Sequence, residues 1–247
     1  MCFHTSQTKK VVELENRFKV TLHNDELCEA YDNNPFYHLN GFAHPDMLII
    51  PQEEPSVLVP GKWGIVPQNK TPEQVEAYYK EAVKYGGGLN AQSEKLFNHF
   101  IYKHAAKSRR CLVPVTGFFE PHEHKSKKYP VYISRKDKEA FALAGIYTLI
   151  GGIPTFSILT KAASPLFQKI HNNRKRQPIL VSERHEQEWL LDNLNRNQIE
   201  ELLHTVYPEQ ELNAYTVTKD LFSPKVNSNI PEITERVEFE GMGFEVI

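Results

Sequence analysis

Apolar residues recur at helical spacing in five stretches of the chain. The clearest stretch is 71–85, where the apolar side chains fall on one stripe: Val75, Tyr78, Tyr79, Ala82 and Val83. Thr71 and Gln74 have the spacing of a capping box, Pro72 suits the first helical position, and Gly86 suits the end. Further helices are predicted at 93–101, 183–194 and 197–204, with a weaker one at 7–18.

Short apolar or β-branched runs bounded by Gly, Pro or charge predict eight strands. They lie at 47–50, 64–66, 111–119, 130–134, 141–149, 155–160, 178–181 and 215–218. Between 111 and 160 the runs follow one another closely, with a hairpin tip at 125–128 and a turn at 151–152. Strands joined by tight turns pair antiparallel. We therefore expect an α+β protein: a single compact domain over 1–247, with a curved, barrel-like antiparallel sheet and peripheral helices.

Composition narrows the class of protein further. The 247 residues are 40% hydrophobic and 24% charged, which excludes a disordered or fibrous chain. The sequence has neither the roughly 20-residue apolar run of a membrane span nor the apolar core of a signal peptide. Its cysteines, Cys2, Cys28 and Cys111, are odd in number and widely spaced, which argues against a disulfide framework. We expect a cytoplasmic protein, monomeric and without a cofactor.

The charge is unevenly distributed along the chain. The formal net charge is only −2. Residues 101–180, however, carry 15 Lys and Arg against 4 Asp and Glu, a net of +11, whereas residues 1–100 carry −4 and residues 181–247 carry −9. Such asymmetry is typical of a basic face with an anionic partner, although basic and acidic segments also pair within a fold. On charge alone both interpretations stay open.

Cys2 is the first candidate for chemistry. Removal of Met1 leaves Cys2 with an α-amine and a thiol on one residue, whose ordinary pKa values are about 8 and about 8.5. An amine and a thiol so placed condense with an aldehyde: the amine forms an imine and the thiol closes a thiazolidine ring. Alternatively, the thiol attacks an acyl group with the amine as its base. The competing interpretation is an unremarkable cysteine at a frayed terminus.

Three segments offer partners for this nucleophile. Asn90 follows three glycines and presents an amide suited to a charged intermediate. Glu120 ends an apolar run, and a carboxyl group held against Phe118 and Phe119 is suited to proton transfer. His171 precedes a basic loop and has the side chain that exchanges protons near neutral pH. Each residue also has an ordinary structural role as a helix boundary, a strand end or a surface histidine.

A metal site is the competing interpretation of the segment around Glu120. Glu120, His122 and His124 alternate, so that in a strand they would share one face, as zinc ligands do. Pro121 and the basic run after His124 instead suggest a strand end that enters a turn, and no second pair of ligands lies nearby. We therefore expect no metal. The sequence also has no phosphate-binding GxxxxGK[ST] loop and no GxSxG motif.

Taken together, the motifs resemble the SRAP family (SOS response-associated peptidase). The resemblance rests on MC at 1–2, WG at 63–64 with Pro67, LNA at 89–91 with Glu94, CLVPVTGFFE at 111–120, LAGIYT at 143–148, ILTKAA at 158–163, IH at 170–171 and RQPILVS at 176–182. These motifs keep the family's order and span nearly the whole chain. Each is weak alone, and together they are specific.

The resemblance implies a function and roles for four residues. Members crosslink to abasic sites in single-stranded DNA, so Cys2, after loss of Met1, is implied to be the crosslinking residue. Asn90 is implied to position Cys2 and the opened sugar, Glu120 to move protons, and His171 to help open the deoxyribose ring. Peptide-bond cleavage that removes the initiator Met is also attributed to the family, as its name suggests. The implied fold is a compact α+β domain around a barrel-like sheet.

This chain departs from the family pattern where DNA contacts are expected. His4 stands in place of an arginine, Gln92 in place of a second arginine, and 172–175 interrupts the usual Asp-Arg after the IH motif; the familiar Trp pair after the WG motif is not evident. We therefore expect other cations to contact phosphate, together with His4: Lys103, Lys107, Arg109, Arg110, Arg174, Lys175 and Arg176. Phe3 is a candidate for stacking on a base.

Two other classes of function are compatible with parts of the sequence. A hydrolase or glutamine amidotransferase with an N-terminal nucleophile also begins with a cysteine, and it predicts turnover without any dependence on DNA. A module that only binds single strands predicts salt-sensitive affinity and no crosslink. The leading prediction remains an abasic-site sensor, whose partner is single-stranded DNA carrying abasic sites.

Overall fold

The computed structural model describes residues 2–240. Within them lie seven α-helices: α1 (Val11–Phe18), α2 (Asp25–Asn33), α3 (Val75–Ala82), α4 (Tyr102–Ser108), α5 (Pro165–Ile170), α6 (Glu183–Trp189) and α7 (Arg196–His204). The same residues form thirteen strands: β1 (His4–Gln7), β2 (Phe36–Asn40), β3 (Asp46–Pro51), β4 (Val59–Trp63), β5 (Asn90–Gln92), β6 (Arg110–Val115), β7 (Gly117–His124), β8 (Lys127–Arg135), β9 (Phe141–Ile150), β10 (Ile153–Ala162), β11 (Arg176–Pro178), β12 (Leu180–Val181) and β13 (Leu212–Thr216). The predicted α+β class is confirmed.

Five strands close into a barrel. The order β10–β4–β3–β6–β9 returns to its start because β9 also pairs with β10. Most neighbours are antiparallel, as predicted, but β10 runs parallel to β4 and, further along the same strand, parallel to β5. This parallel pairing was not expected, because the partner strands are far apart in sequence and no tight turn joins them. It places β5 at the barrel rim.

A second sheet packs beside the barrel. Its five strands have the order β13–β8–β7–β1–β2, and all neighbours are antiparallel. In β1, His4 pairs with Phe119 of β7 and Thr5 pairs with Phe118. Because successive side chains in a strand point to opposite faces, Phe118 lies on the face towards the barrel core and His4 on the other. The start of the chain therefore lies between the two layers.

Alternate side chains of the barrel strands enter two separate cores. In β6, Cys111, Val113 and Val115 pack with Phe118 of the second sheet, while Leu112 packs with the helices outside the barrel. The helical core gathers apolar residues of α1, α4, α6 and α7. This alternation explains the long apolar run at 111–119, since both faces of the barrel wall are covered. None of the helices within residues 2–240 is long and apolar enough to cross a bilayer.

Several predicted boundaries were wrong. The run at 111–119 is two strands, because the chain leaves the barrel at Thr116, whose N–H bonds to Ser6, and joins the second sheet. The segment 93–101 contains only a short 3-10 turn, and the helix forms later, at Tyr102–Ser108. The strand predicted at 64–66 lies earlier, at Val59–Trp63.

Other elements were predicted correctly or missed altogether. Helical residues cover the predicted 71–85, with the capping box formed by Thr71 and Gln74 and with Gly86 left-handed at the end. Both hairpin turns form where expected, after β7 and after β9. The structure adds the strands β1, β2 and β5 and the helices α2 and α5, which the sequence patterns did not indicate. These strands are short, so they carry too few alternating positions to be recognised.

Candidate functional site

Cys2 lies between the barrel and the second sheet, immediately before β1. Its side chain is fully buried, and its thiol donates a weak hydrogen bond to the carbonyl oxygen of His4, at 3.7 Å. The Cys2 carbonyl oxygen accepts a hydrogen bond of 2.8 Å from Nδ2 of Asn90. Because this bond holds the backbone of Cys2, Asn90 fixes the position of the predicted nucleophile.

Asn90 is placed by the barrel rim. It begins β5, and the preceding Leu89 accepts a hydrogen bond of 3.0 Å from the indole N–H of the buried Trp63. Gly88 adopts a positive φ of 69°, and a Cβ there would lie 2.6 Å from the carbonyl oxygen of Ile65. Only glycine allows the two backbone segments to approach this closely. The glycine-rich segment thus packs closely against the barrel and positions Asn90 at its rim.

Glu120 and His171 form a buried pair. Glu120 is fully buried in β7, and His171, which is 4% exposed, directly follows α5. Nδ1 of His171 lies 2.9 Å from Oε2 of Glu120. A carboxyl group and an imidazole in direct contact are able to exchange a proton without solvent. The two residues predicted to transfer protons therefore lie in direct contact in the fold.

A neighbouring contact, which sequence analysis missed, fastens the loop that carries His171. Asn172 bonds twice to the backbone of Glu123: its Oδ1 accepts from the N–H at 2.9 Å, and its Nδ2 donates to the carbonyl at 2.8 Å. Nδ1 of His122 also lies 3.0 Å from the carbonyl oxygen of Lys169. Nothing in the sequence distinguished Asn172 from the basic loop around it. Its role depends on the strand that it meets.

The negative charge of Glu120 interacts electrostatically with the thiol of Cys2. Burial raises the pKa of this thiol well above its ordinary range, and the negative charge of Glu120 raises it further. The resting thiol is therefore protonated and needs a base before it reacts. The structure brings the four predicted residues together as two contacts, Asn90 with Cys2 and His171 with Glu120, linked by this electrostatic interaction.

Comparison with known proteins identifies the family of this chain. The family model for SOS response associated peptidase (SRAP) matches residues 1–224. The chain belongs to the SRAP family. That match includes all four residues of the buried site.

Relatives of this SRAP chain have been named in bacteria and yeast. It is 27% identical over 235 residues to the abasic site processing protein YoqW of Bacillus subtilis, covering 89% of this chain and 98% of YoqW. It is 26% identical to the abasic site processing protein YoaM of the same organism, covering 83% of this chain and 91% of YoaM. A similar protein of Saccharomyces cerevisiae, YMR114C, is 27% identical over 168 residues, covering 65% of this chain and 43% of the yeast protein.

Solved structures share the fold of this SRAP chain. A crystal structure of a protein from Bacteroides thetaiotaomicron superposes with a TM-score of 0.82 at 28% identity, covering 96% of this chain and all of that one. A protein from Bordetella bronchiseptica has a TM-score of 0.71 at 21% identity, covering 88% of this chain and all of that one, which is a similarity of fold alone.

His4 does not supply the cation that its position suggested. Its Nδ1 lies 2.8 Å from Nε2 of His38, on the face of β1 turned away from the barrel core. Burial lowers the pKa of His4 to about 3 and that of His38 to about 4. Both imidazoles are therefore neutral near pH 7. In this SRAP chain, phosphate contact by His4 would need a conformational change that exposes and protonates the ring.

Arg110 is a correction to the predicted phosphate contacts. Its side chain is fully buried, and its guanidinium donates to the carbonyl oxygens of Trp189, Ala106, Lys107 and Leu191. The guanidinium thus satisfies carbonyls at the end of α4 and beyond α6, and no donor faces DNA. The sequence did not indicate that Arg110 is buried whereas the adjacent Arg109 is partly exposed.

Arg176 is also committed to contacts within the chain. Its guanidinium binds Glu94 through two hydrogen bonds, of 2.6 and 3.0 Å, and donates to Thr160. Because β11 and the turn after β5 are joined in this way, Arg176 braces the rim that carries Asn90. This contact opposes a primary role in binding phosphate.

The remaining predicted cations lie on two surfaces. Arg174 and Lys175 are exposed in the loop that follows His171. Lys103 and Lys107 are exposed on α4, and Arg109 follows that helix with an ion pair of 3.3 Å to Glu53. The first surface continues directly from the buried site, whereas the second belongs to a helix that packs on the outside of the barrel.

The metal alternative has little support in the geometry. β7 extends to His124, so Glu120, His122 and His124 do alternate within a strand, contrary to the expected strand end. Glu120 is nevertheless in contact with His171, and His122 faces a backbone carbonyl. Among residues 2–240, no three His, Cys, Asp or Glu side chains converge in a way that could hold a metal ion.

Proposed function

We propose that this SRAP protein processes abasic sites in single-stranded DNA by forming a covalent crosslink through Cys2. The observation that carries the proposal is the contact of Asn90 with the Cys2 backbone beside the buried Glu120–His171 pair. The names of the related bacterial and yeast proteins support the substrate. The cationic loop after His171 supports an anionic partner.

The first step of the proposal creates the nucleophile. Hydrolysis of the peptide bond between Met1 and Cys2 consumes one water molecule and frees the α-amine of Cys2. The residue then carries an amine and a thiol that are able to react with the same carbon atom. Since the thiol is buried, the start of the chain must rearrange when DNA reaches it.

The second step joins the amine to the sugar. The abasic deoxyribose opens when its C1′ hydroxyl loses a proton and its ring oxygen gains one, which exposes an aldehyde at C1′. The α-amine adds to this aldehyde, and loss of one water molecule leaves an imine. The Cys2 thiol then adds across the imine: sulfur bonds to C1′, and its proton passes to nitrogen. The product is a thiazolidine, and no oxidant or reductant is required.

Each of the three polar residues beside Cys2 has a proposed role in these steps. His171 assists ring opening, because an imidazole both accepts and donates protons near neutral pH. Glu120 receives the thiol proton and returns it to nitrogen, which answers the need for a base at a protonated thiol. Asn90 holds the Cys2 carbonyl, so that the amine and the thiol stay aligned with C1′.

Phosphate contacts are proposed at the exposed cations. Arg174 and Lys175 would hold the strand next to the buried site, and Lys103, Lys107 and Arg109 would extend the basic surface. Each phosphate that they neutralise steepens the dependence of log affinity on log salt by about 0.7 for a single strand. Replacing Arg174 by Ala is therefore expected to reduce that slope.

A denaturing gel tests the function directly. Purified protein is mixed with single-stranded DNA that carries one abasic site, and a band of lower mobility is expected for the wild type. Cys2→Ala should abolish the band, whereas Cys28→Ala, a matched control outside the site, should retain it. Acetylation of the amino terminus should abolish it as well. A wild type without the band, or a crosslink by Cys2→Ala, contradicts the proposal.

Two further measurements define the chemistry. Intact-mass spectrometry of the mature protein should show the loss of Met1, because a retained Met1 leaves no free α-amine on Cys2. Cys2→Ser keeps the amine but lacks the thiol, so its crosslink should depend on trapping with borohydride. A wild-type crosslink that also depends on borohydride would show an imine rather than a thiazolidine.

A further inference from the structure

We infer that Phe3 and Phe42 form a platform on which the base next to the abasic site stacks. This inference rests on the proposed function and adds how the flanking nucleotide is bound. The two rings pack with centroids 4.9 Å apart at an interplanar angle of 35°. Phe3 is joined directly to Cys2, and the side chain of Phe42 is 42% exposed. We call this pair the Phe3–Phe42 platform.

The backbone holds the Phe3–Phe42 platform in place. Phe42 sits in a 3-10 turn whose first residue, Gly41, donates its N–H to the carbonyl oxygen of Phe3 at 2.8 Å. The N–H of Phe42 donates to Oδ1 of Asn40 at 3.1 Å. A Cβ on Gly41 would lie 3.2 Å from both the Phe3 carbonyl oxygen and the Trp63 ring, so the turn fits closely against the chain start. Movement of Cys2 and placement of Phe42 are thus coupled.

A cavity of about 270 Å³ continues from Phe42 along the surface. Its walls include the stacked rings of His44 and Tyr79, with centroids 3.6 Å apart. They carry two cations, Lys62 and Lys80, and one carboxylate, Glu76. Lys62 pairs with Asp46 at 3.0 Å, while Lys80 is exposed. Aromatic rings interleaved with cations are the pattern by which proteins hold single strands. The cavity is small, which suits one nucleotide better than a larger ligand.

The chemistry of an abasic site favours binding of the neighbouring base at the Phe3–Phe42 platform. An abasic nucleotide has no base, so a protein recognises it only through sugar, phosphate and neighbours. The missing base leaves the neighbouring base without a stacking partner on one face. Aromatic rings beside the reacting residue restore that contact, and they do so for any base, because every base has a π-face. The exposed face of Phe42, adjacent to Phe3 and hence to Cys2, is where that neighbour would lie.

Binding of an unreactive lesion tests the Phe3–Phe42 platform separately from the crosslink. The probe is a single strand with one tetrahydrofuran abasic analogue, which cannot open to an aldehyde. Loss of one base–aromatic stack should weaken binding by about 5- to 100-fold, so Phe42→Ala should raise Kd at least about fivefold. Phe42→Trp should bind at least as tightly as the wild type. Val12→Ala, a change at an exposed apolar residue of α1 (53% exposed) outside the proposed DNA surface, should leave Kd unchanged.

A second DNA tests whether the contact is to the neighbouring base. In a strand with three consecutive tetrahydrofuran sites, the central lesion has no flanking base. Wild type and Phe42→Ala should bind this strand with equal Kd. A defect of Phe42→Ala that persists at full size on this strand, an equal defect in Val12→Ala, or no defect on the first strand overturns the inference. Thermal unfolding of each variant verifies that it is folded.

Failure of this inference is distinguishable from failure of the proposed function. If the wild type does not crosslink to a natural abasic site, the proposed function fails. If the wild type crosslinks and Phe42→Ala keeps the wild-type Kd on the first strand, only the Phe3–Phe42 platform fails.

Discussion

Two contacts of a histidine lie on opposite faces of the second sheet: an inner pair, His171 with Glu120, and an outer pair, His4 with His38. On the face towards the barrel core, Nδ1 of His171 lies 2.9 Å from the carboxylate of Glu120. On the other face, Nδ1 of His4 lies 2.8 Å from Nε2 of His38. The two contacts are nearly equal in length, yet one joins a base to an acid and the other joins two bases. The first contains the carboxylate that the proposed proton transfer from the Cys2 thiol requires, and the second contains none.

The outer pair has a structural use. Nδ1 of His38 lies 2.6 Å from Oγ of Ser228, and the backbone N–H of His38 donates to Asn229. The pair thus fastens the C-terminal part of the chain across the sheet. Because burial lowers the pKa of both rings, to about 3 for His4 and about 4 for His38, this fastening requires neutral imidazoles. The inner pair belongs instead to the site that contains Cys2.

Replacing Glu120 should show most clearly that the inner pair serves crosslinking, whereas the outer pair does not. Glu120→Gln preserves size and one hydrogen-bond acceptor but removes the base, so the single-turnover rate of crosslinking should fall by about 10²–10⁴-fold. The midpoint of thermal unfolding should change little. His171→Gln should also be slow, and the double variant should be no slower than the slower single variant, because residues that act as a unit are not additive. A Glu120→Gln rate within about threefold of the wild type contradicts the proton-transfer role.

The outer pair should make stability depend on pH. Below about 6.5 an unfolded histidine binds a proton that folded His38 refuses until about pH 4, so the free energy of unfolding should fall as pH drops through this window. The 2.5-unit difference corresponds to about 3 kcal/mol at pH 4. His4 adds to the fall in the same direction.

Chemical denaturation at pH 7.5, 6, 5 and 4.5 measures this dependence. His38→Asn should be less stable at pH 7.5 and should show a shallower decline. His23→Asn, at an exposed histidine, should keep the wild-type decline. If His38→Asn declines as steeply as the wild type, then His38 does not carry the effect.

The contact that fastens His171 predicts a smaller effect. Asn172→Ala removes two hydrogen bonds to the backbone of Glu123, each contributing about 0.5–1.5 kcal/mol. The crosslinking rate should fall about tenfold, because His171 is then less well aligned with Glu120. Asn173→Ala is the matched control: it loses one exposed contact, to the Glu123 carboxylate, and should keep the wild-type rate. Equal rates for Asn172→Ala and wild type would show that the loop needs no such support.

The smallest expected effect is at the outer pair. Ser228→Ala removes the hydroxyl that meets His38 and should lower the free energy of unfolding by about 1 kcal/mol at pH 7.5. The rate of crosslinking should remain that of the wild type, because the contact lies on the other face of the sheet. Denaturant titration and the gel assay measure the two quantities on one preparation. A slower crosslink in Ser228→Ala would show that the two faces are coupled.

Local sequence signals predicted the elements whose causes are local. The capping box at Thr71 and Gln74 and the left-handed Gly86 formed as expected, because a side chain and its own backbone suffice to define them. Periodicity failed at 93–101: Leu96, Phe97, Phe100 and Ile101 have helical spacing, but the chain folds as turns there and Phe100 is 69% exposed. A short run of apolar spacing therefore defined neither the backbone conformation nor the burial of each side chain.

In the candidate site, too, the sequence indicated residues with suitable chemistry but not the contacts that depend on the fold. Cys2, Asn90, Glu120 and His171 were chosen for their chemistry and for a family resemblance, whereas Asn172 was overlooked because its partner is the backbone of a strand 49 residues away. The predicted phosphate contacts were the least accurate, because the adjacent Arg109 and Arg110 have nearly the same local sequence. Burial separates them: Arg110 is fully enclosed and Arg109 reaches the surface.

The sequence by itself determined the α+β class, the turns, the basic centre of the chain and the identity of the four residues with suitable chemistry. The first three properties follow from composition and from patterns within a few residues, whereas the four residues were also indicated by motifs along nearly the whole chain that resemble the SRAP family. Only the tertiary structure decided that Asn90 meets Cys2, that His171 meets Glu120 and that His4 faces another histidine. Such contacts join strands and loops that are distant in sequence. They also depend on the register of strand pairing, because a shift of one residue moves each side chain to the other face of the sheet.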